Sequence, residues 1–304
     1  MSVSYSERLV TRIRQCRSPL VVGLDPRLEQ LPLILSDLAQ GNLQQQAEAY
    51  RLFCNSVIDA VADIVPAVKP QFAFFEELGP DGMVALHSVC QYAKAKGLVV
   101  LGDAKRGDIG STAIAYANAY LAESGPWGLD ALTVNPYMGR DTLQPFLNIG
   151  ASNQAGLFVL VKTSNPGSGD LQDLMVGDTP ISQQVASWLA NLASESAAQG
   201  RGYQGMTDIG AVVGATYPQQ LETMRQQMPG VWILIPGFGA QGGSAADTQA
   251  GFLENGLGAL VNSSRGVIFA FDKTEQSDQW IDAVRQAAID SSEMLRQNTP
   301  AGNL

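Results

Sequence analysis

Eight short apolar runs, spaced along the chain and closing on polar or turn-forming residues, constrain this sequence more than any other feature. They are Leu20–Asp25, Ala67–Gln71, Leu98–Lys105, Ala131–Pro136, Leu157–Ser164, Ile209–Thr216, Trp232–Gly237 and Ala259–Ser264. Brief runs rich in Val, Ile and Leu, without apolar/polar alternation, read as strands buried on both faces, the pattern of a parallel sheet covered by helices. Helical spacing fills the intervals. Tyr50, Phe53, Cys54, Val57, Ile58 and Val61 fall on one stripe of a helix, which predicts that this face is buried. A second helix is expected to be capped by Asp81, to bury Leu86, Val89, Cys90 and Ala93, and to end at Gly97. Eight strand and helix units within 304 residues fit a closed (β/α)8 TIM barrel better than an open doubly wound sheet. An extra helix, 6–15, precedes the first strand. Without a low-complexity linker or charge block, residues 1–304 read as a single domain, and the tail after the last helix is expected to fray.

Composition narrows the ligands. A formal net charge of -10 argues against nucleic acid and against an anionic membrane surface, because both require clustered Lys and Arg to displace counterions. An anionic ligand must therefore meet locally placed positive charge. Cys16, Cys54 and Cys90 are scattered, with no CxxC pair and a single histidine, His87, in the chain. That pattern indicates neither a zinc site nor a disulfide framework and suits a reducing cytoplasm. No apolar stretch has the length of a signal peptide core or a membrane span.

In barrels of this kind the reactive side chains sit at the C-terminal ends of strands. The first run ends in Asp25, the second carries Lys69, and the third enters Asp103-Ala-Lys105-Arg-Gly-Asp108. Residues two apart on a strand share a face, so Asp103 and Lys105 are expected to be neighbours at the barrel mouth. Taken alone, such an array is equally a solvated ion pair in a loop. With Lys69 and Asp25 on adjoining strand ends it becomes a candidate network of alternating charge. Pro236 to Gly243, PGFGAQGG, and Arg265 follow the last two strands. Glycine-rich backbone with a guanidinium fork suits a phosphate dianion. Gly237, Gly239 and Gly242 also spell GxGxxG, but no acidic ribose ligand closes the motif, so a dinucleotide site is rejected. KTSNPGSGD, from Lys162, opens a long loop reaching about Pro180. It reads either as a lid or as a surface excursion, with Ser164 and Asn165 at its base able to bind a heterocycle.

The strings GLDPR, VKPQ, DAKRGDIGST, TVNPYMG, KTSNPGS, PGFGAQGG and SSRG, each at a strand end, together resemble the orotidine 5'-phosphate decarboxylase family in its longer bacterial branch, over nearly the whole chain. The resemblance implies an enzyme that makes UMP from orotidine 5'-monophosphate without metal or cofactor. It implies that Lys105 protonates the pyrimidine carbon, that Asp103 lies beside the departing carboxylate, and that Asp25, Lys69 and Thr112 meet ribose hydroxyls. Asp108 resembles the aspartate that crosses into a partner's site, which implies a homodimer. Ser164 is similar to the reader of the pyrimidine amide, Gln241, with Gly242 beside it, to a clamp on phosphate and base, and Arg265 to the phosphate fork.

The nearest alternative is a magnesium-dependent sugar-phosphate decarboxylase or aldolase built on the same DxKxxD. It requires a carboxylate where Lys69 stands, although Glu76 and Glu77 follow closely. Imine chemistry at Lys105 or Lys162 is disfavoured by the flanking aspartates, which keep Lys105 charged. A non-catalytic nucleotide-binding barrel would have no use for the full charge alternation. His87 reads as a partly buried helix residue, and Phe72, Phe74 and Phe75 as packing; Asn135 has no assigned role.

Overall fold

A computed structural model of the chain describes residues 3–216, 218–238, 244–272 and 279–304. The eight apolar runs form eight parallel strands: β1 (Leu20–Leu24), β2 (Ala67–Pro70), β3 (Val99–Arg106), β4 (Ala131–Val134), β5 (Gly156–Lys162), β6 (Ile209–Val213), β7 (Trp232–Ile235) and β8 (Ala259–Ser263). Each pairs with its sequence neighbours, and β8 closes onto β1 through Leu20 opposite Val261 and Val21 opposite Asn262. The expected closed barrel is therefore present. Parallel strands joined by crossovers must be covered on the outside. The helices α2 (Leu43–Val61), α3 (Gly79–Ala95), α4 (Gly110–Leu121), α5 (Gln144–Ser152), α6 (Ile181–Ala198), α7 (Pro218–Gln227) and α8 (Gln279–Asn298) do so.

The stripe read from the sequence is the buried face of α2, from Tyr50 to Val61. A reciprocal cap between Asn42 and Gln45 starts that helix and satisfies two otherwise orphan amides. The start of α3 differs from expectation. Its cap position is Leu78 and Asp81 lies inside the first turn; Pro80, which lacks an amide proton and has φ preset, is accommodated in that turn directly after Gly79, where its missing donor costs no helical bond. Gly97, at φ 78°, ends the helix as expected, with the Leu98 amide returning to the Ala93 carbonyl. Phe72 and Phe75 are buried against Tyr120 and Tyr50; His87, expected to be partly buried, is instead an exposed α3 residue, its ring meeting Trp127 edge-on at the surface.

The core has two layers. One lies between strands and helices; the other fills the barrel, with Val21, Leu101, Phe158, Trp232 and Leu260. Beneath that inner layer sits the extra helix α1 (Tyr5–Cys16), which buries Tyr5, Leu9, Val10 and Ile13 in it. Tyr5 stands edge-on to Phe158 at 6.5 Å. Burying such side chains contributes about 1.5–3 kcal/mol each, so α1 closes the N-terminal end of the barrel and leaves the opposite end open.

Two further segments depart from expectation. The C-terminal tail does not fray: α8 leads into a 3-10 turn, Pro300–Asn303. Ala301 is buried there, and the Asn303 amide donates to the Glu254 carbonyl at 2.7 Å. The long loop after β5 is not structureless either. It holds a helical turn, Gly169–Gln172, and a two-stranded hairpin pairing Met175–Val176 with Thr179–Pro180.

Candidate active site

A cavity of about 330 Å³ opens at the C-terminal end of the barrel, lined by residues of nearly every strand end. Its polar wall is built on Asp103. The carboxylate is 7% exposed and takes hydrogen bonds from four side chains. The Lys69 ammonium donates to Oδ2 at 2.6 Å and the Gln71 amide to the same oxygen at 2.9 Å. The Lys105 ammonium donates to Oδ1 at 2.6 Å, and the Thr133 hydroxyl lies 3.1 Å from that oxygen. Four donors on a buried carboxylate satisfy its acceptor capacity, which makes the burial tolerable.

The electrostatics follow from this packing. Burial by itself raises the Asp103 carboxyl, but the Lys69 and Lys105 ammoniums outweigh it and hold the group well below the usual carboxylate range. Burial by itself lowers Lys69, which is 5% exposed. Asp103 and Asp25 on either side overcome that and keep its ammonium above its ordinary value. Lysine and aspartate therefore alternate as fixed charges along one wall.

Lys105 reaches its place by a route that strand alternation does not describe. Its φ is 48°, in the left-handed region, and the β3–β4 register shifts between Gly102 and Arg106. The neighbour relation with Asp103 holds, but a local irregularity of the strand produces it. Nearly half of the Lys105 side chain remains exposed, at 46%, toward the cavity.

Asp25, Lys69, Asp103, Lys105, Ser164 and Arg265 all line this one cavity. Asp108 and Thr112 do not belong to its lining; Thr112 is exposed on the first turn of α4, and the Asp108 carboxylate accepts the Ile109 amide at 2.7 Å. Gln241 and Gly242 lie outside the described residues. Pro236, Gly237 and Phe238, from the same glycine-rich stretch, do line the cavity beside Arg265, and Gly237 has φ 87°, a conformation that a side chain would strain. Glu76, the carboxylate nearest to a cation ligand in the magnesium alternative, is ion-paired to Arg106 and is not part of the lining. Lys162 is buried at the end of β5 and bonded to Asp173 at 2.7 Å.

Gln71, Thr133 and Asn262 join the cavity wall without having stood out in the sequence. Each is a neutral polar residue in or beside an apolar run, and its only signal is that polarity. Two oxygens on this wall, Asp25 Oδ1 and Asn262 Oδ1, are buried and lack a hydrogen-bond partner among the described residues. Buried polar atoms are normally satisfied, so these two oxygens have acceptor capacity to spare on the cavity wall. Leu160, Val212, Leu234 and Phe238 give the same cavity apolar lining, and Thr163, Ser164 and Asn165 line it from the loop after β5. One cavity thus combines apolar surface, paired carboxylates and ammoniums, and a guanidinium.

Residues 18–279 match the family model described as the orotidine 5'-phosphate decarboxylase / HUMPS family. A Rhodopirellula baltica protein named orotidine 5'-phosphate decarboxylase is 51% identical, the match covering 97% of this chain and 99% of that one. A Deinococcus radiodurans protein of the same name is 43% identical, over 89% of this chain and 91% of its own length. The solved structure of Leishmania donovani OMP decarboxylase superposes with a TM-score of 0.76 at 35% identity, covering 97% of this chain and 98% of that one.

Proposed function

The chain belongs to the orotidine 5'-phosphate decarboxylase / HUMPS family, and from that premise we propose that Lys105 stabilises and then protonates the ring carbanion as orotidine 5'-monophosphate becomes UMP. The enzyme is a carboxy-lyase of pyrimidine biosynthesis. The observation that carries the residue assignment is the Lys105 ammonium, bonded to Asp103 at 2.6 Å and facing the cavity.

The chemistry requires such a group. When the bond from the ring carbon to the carboxylate breaks, the electron pair stays on that carbon, in the plane of the ring, where no adjacent carbonyl can delocalise it. A fixed ammonium stabilises the developing charge. Lys105 then gives the carbon a proton, carbon dioxide leaves, and the amine recovers its proton from water. Asp103 fixes the ammonium in direction and lies where the substrate carboxylate departs. Asp25 and Lys69 receive the ribose hydroxyls, Ser164 reads the pyrimidine amide, and Arg265 holds the phosphate, with Gln241 and Gly242 assigned to the same anion and base. Binding the unreactive phosphate seats the ring against the charged wall, so that remote contacts act on the rate. No cofactor is assigned a role. Cys16, Cys54 and Cys90 are free thiols, which suits the reducing cytoplasm where we place the enzyme.

A homodimer completes the reading. Asp108 and Thr112 lie outside the lining of their own cavity, and Ile109, Ile114, Tyr137 and Met138 beside them are exposed apolar side chains. A second copy covering this face would bring Asp108 and Thr112 to the neighbouring site. Lys105→Ala is expected to abolish turnover while a UMP-like ligand still binds, and Asp108→Asn to be strongly impaired. Mixed in equal amounts with exchange of subunits, the two variants should recover about a quarter of the wild-type rate, because half of the dimers then carry one native site. Near-normal turnover by Lys105→Ala overturns its role; a mixture no more active than its components overturns the shared site.

A further inference from the structure

We infer that Thr133 is a positioning residue for Lys105, holding the lysine backbone and the Asp103 carboxylate in one hydrogen-bonded ring; the inference rests on the decarboxylase reading above. Thr133 is the one polar residue of β4 and is buried. Its Oγ1 accepts the Lys105 amide at 2.9 Å and lies 3.1 Å from Asp103 Oδ1 and 3.5 Å from the Gly102 carbonyl. The hydroxyl proton goes to the nearer, charged acceptor. The Lys105 ammonium reaches the same Oδ1 at 2.6 Å. Both ends of Lys105 are thus tied to one carboxylate oxygen, the amide through the threonine hydroxyl and the ammonium directly.

The ring accounts for an otherwise unfavourable backbone. A lysine at φ 48° lacks the intrinsic tolerance of glycine or asparagine for the left-handed region. Such a residue persists only where its surroundings over-determine it. At this point the ladder is interrupted, with the register shifting between Gly102 and Arg106, so the Lys105 amide takes a hydroxyl in place of a strand carbonyl. The left-handed turn folds the side chain back over Asp103. Threonine suits the task because its branched Cβ restricts χ1 and keeps the hydroxyl aimed. Without the hydroxyl, Lys105 retains its charge and loses its direction.

The test uses Thr133→Val, which keeps the shape and removes the hydroxyl, and Thr133→Ser, which keeps the hydroxyl. For Thr133→Val, kcat on orotidine 5'-monophosphate should fall on the order of 10- to 100-fold with KM and UMP affinity within about twofold, and Thr133→Ser should recover most of the loss. A purely structural role predicts no such split and no rescue by serine. Thr133→Val retaining kcat within about twofold, a loss confined to KM, or a serine variant as impaired as valine would overturn the inference. If the valine variant does not fold, Thr133→Ala carries the same outcomes. A crystal structure of the hydroxyl-less variant gives a readout independent of turnover: Lys105 should leave the left-handed region, and an unchanged φ and Lys105–Asp103 contact refutes the positioning role. A wild-type protein inert toward orotidine 5'-monophosphate would instead sink the functional reading, with the structural readout still deciding this one.

Discussion

Asp103 is the residue on which the site's charge balance turns, and its consequences reach beyond catalysis. With Lys69 and Lys105 holding its carboxyl below the usual range, folding gains from the ionised form. That contribution is complete above the ordinary value of 3.8 and is lost as pH falls toward the depressed folded value. Lys69 acts at the other extreme: its raised value contributes stability below the ordinary 10.5 and loses it as pH climbs through the folded value. Asp103→Asn leaves a buried ammonium facing a neutral partner and should cost about 3–5 kcal/mol at neutral pH. Denaturant unfolding should show a constant gap from wild type down to about pH 5 that narrows below about pH 4. A gap equally wide at acid and neutral pH contradicts this balance. Of the residues forming the wall, Asp25, Lys69, Asp103 and Lys105 were legible because charge at the end of an apolar run is conspicuous. Gln71 and Thr133 were not, since a neutral side chain gives no sign of the carboxylate it will serve. The left-handed turn at Lys105 was hidden for a related reason: the residues that advertise such a turn, glycine and asparagine, are absent there.

Among the elements, the strands were readable almost to their ends, because burial on both faces leaves uninterrupted apolar runs. The segment after β5 carries only loop signals in its sequence. Its two-residue strands, Met175–Val176 and Thr179–Pro180, are too short to carry a periodicity, and side-chain bonds back to the end of β5 hold it in place. Lys162 bonds Asp173, while Gln172 both accepts the Thr163 amide at 2.9 Å and donates to the Thr163 hydroxyl at 2.8 Å. These bonds fasten the segment at the base from which Ser164 and Asn165 enter the cavity. Asp173→Ala leaves Lys162 buried without its partner and should lower stability by about 1–3 kcal/mol. Because the strand ends stay in place, the kinetic effect should fall on KM more than on kcat. A loss of kcat at constant KM would show that the segment acts on the chemical step. The start of α3 and the ordered tail depart from expectation for local reasons: Pro80 is accommodated in an earlier first turn, and the Asn303 side-chain amide finds an acceptor in the Glu254 carbonyl.

At the scale of the whole molecule, the barrel separates stability from chemistry. The α1 helix and the inner apolar layer close one end, and the charged wall, the apolar face and Arg265 occupy the other. The fold was legible as a set of strands and helices in series, whereas the expectation of a shared site rests on the family resemblance alone: Asp108 and Thr112 lie outside the lining of their own cavity, and nothing in their spacing marks a second copy. The account stands on this open end decarboxylating a nucleotide with its own side chains. The most direct measurement is the absorbance change as purified wild-type protein, dialysed against excess chelator, is mixed with orotidine 5'-monophosphate. Conversion to UMP at a rate indifferent to the chelator is the predicted result; no conversion, or conversion that stops with the chelator and returns with magnesium, would contradict it.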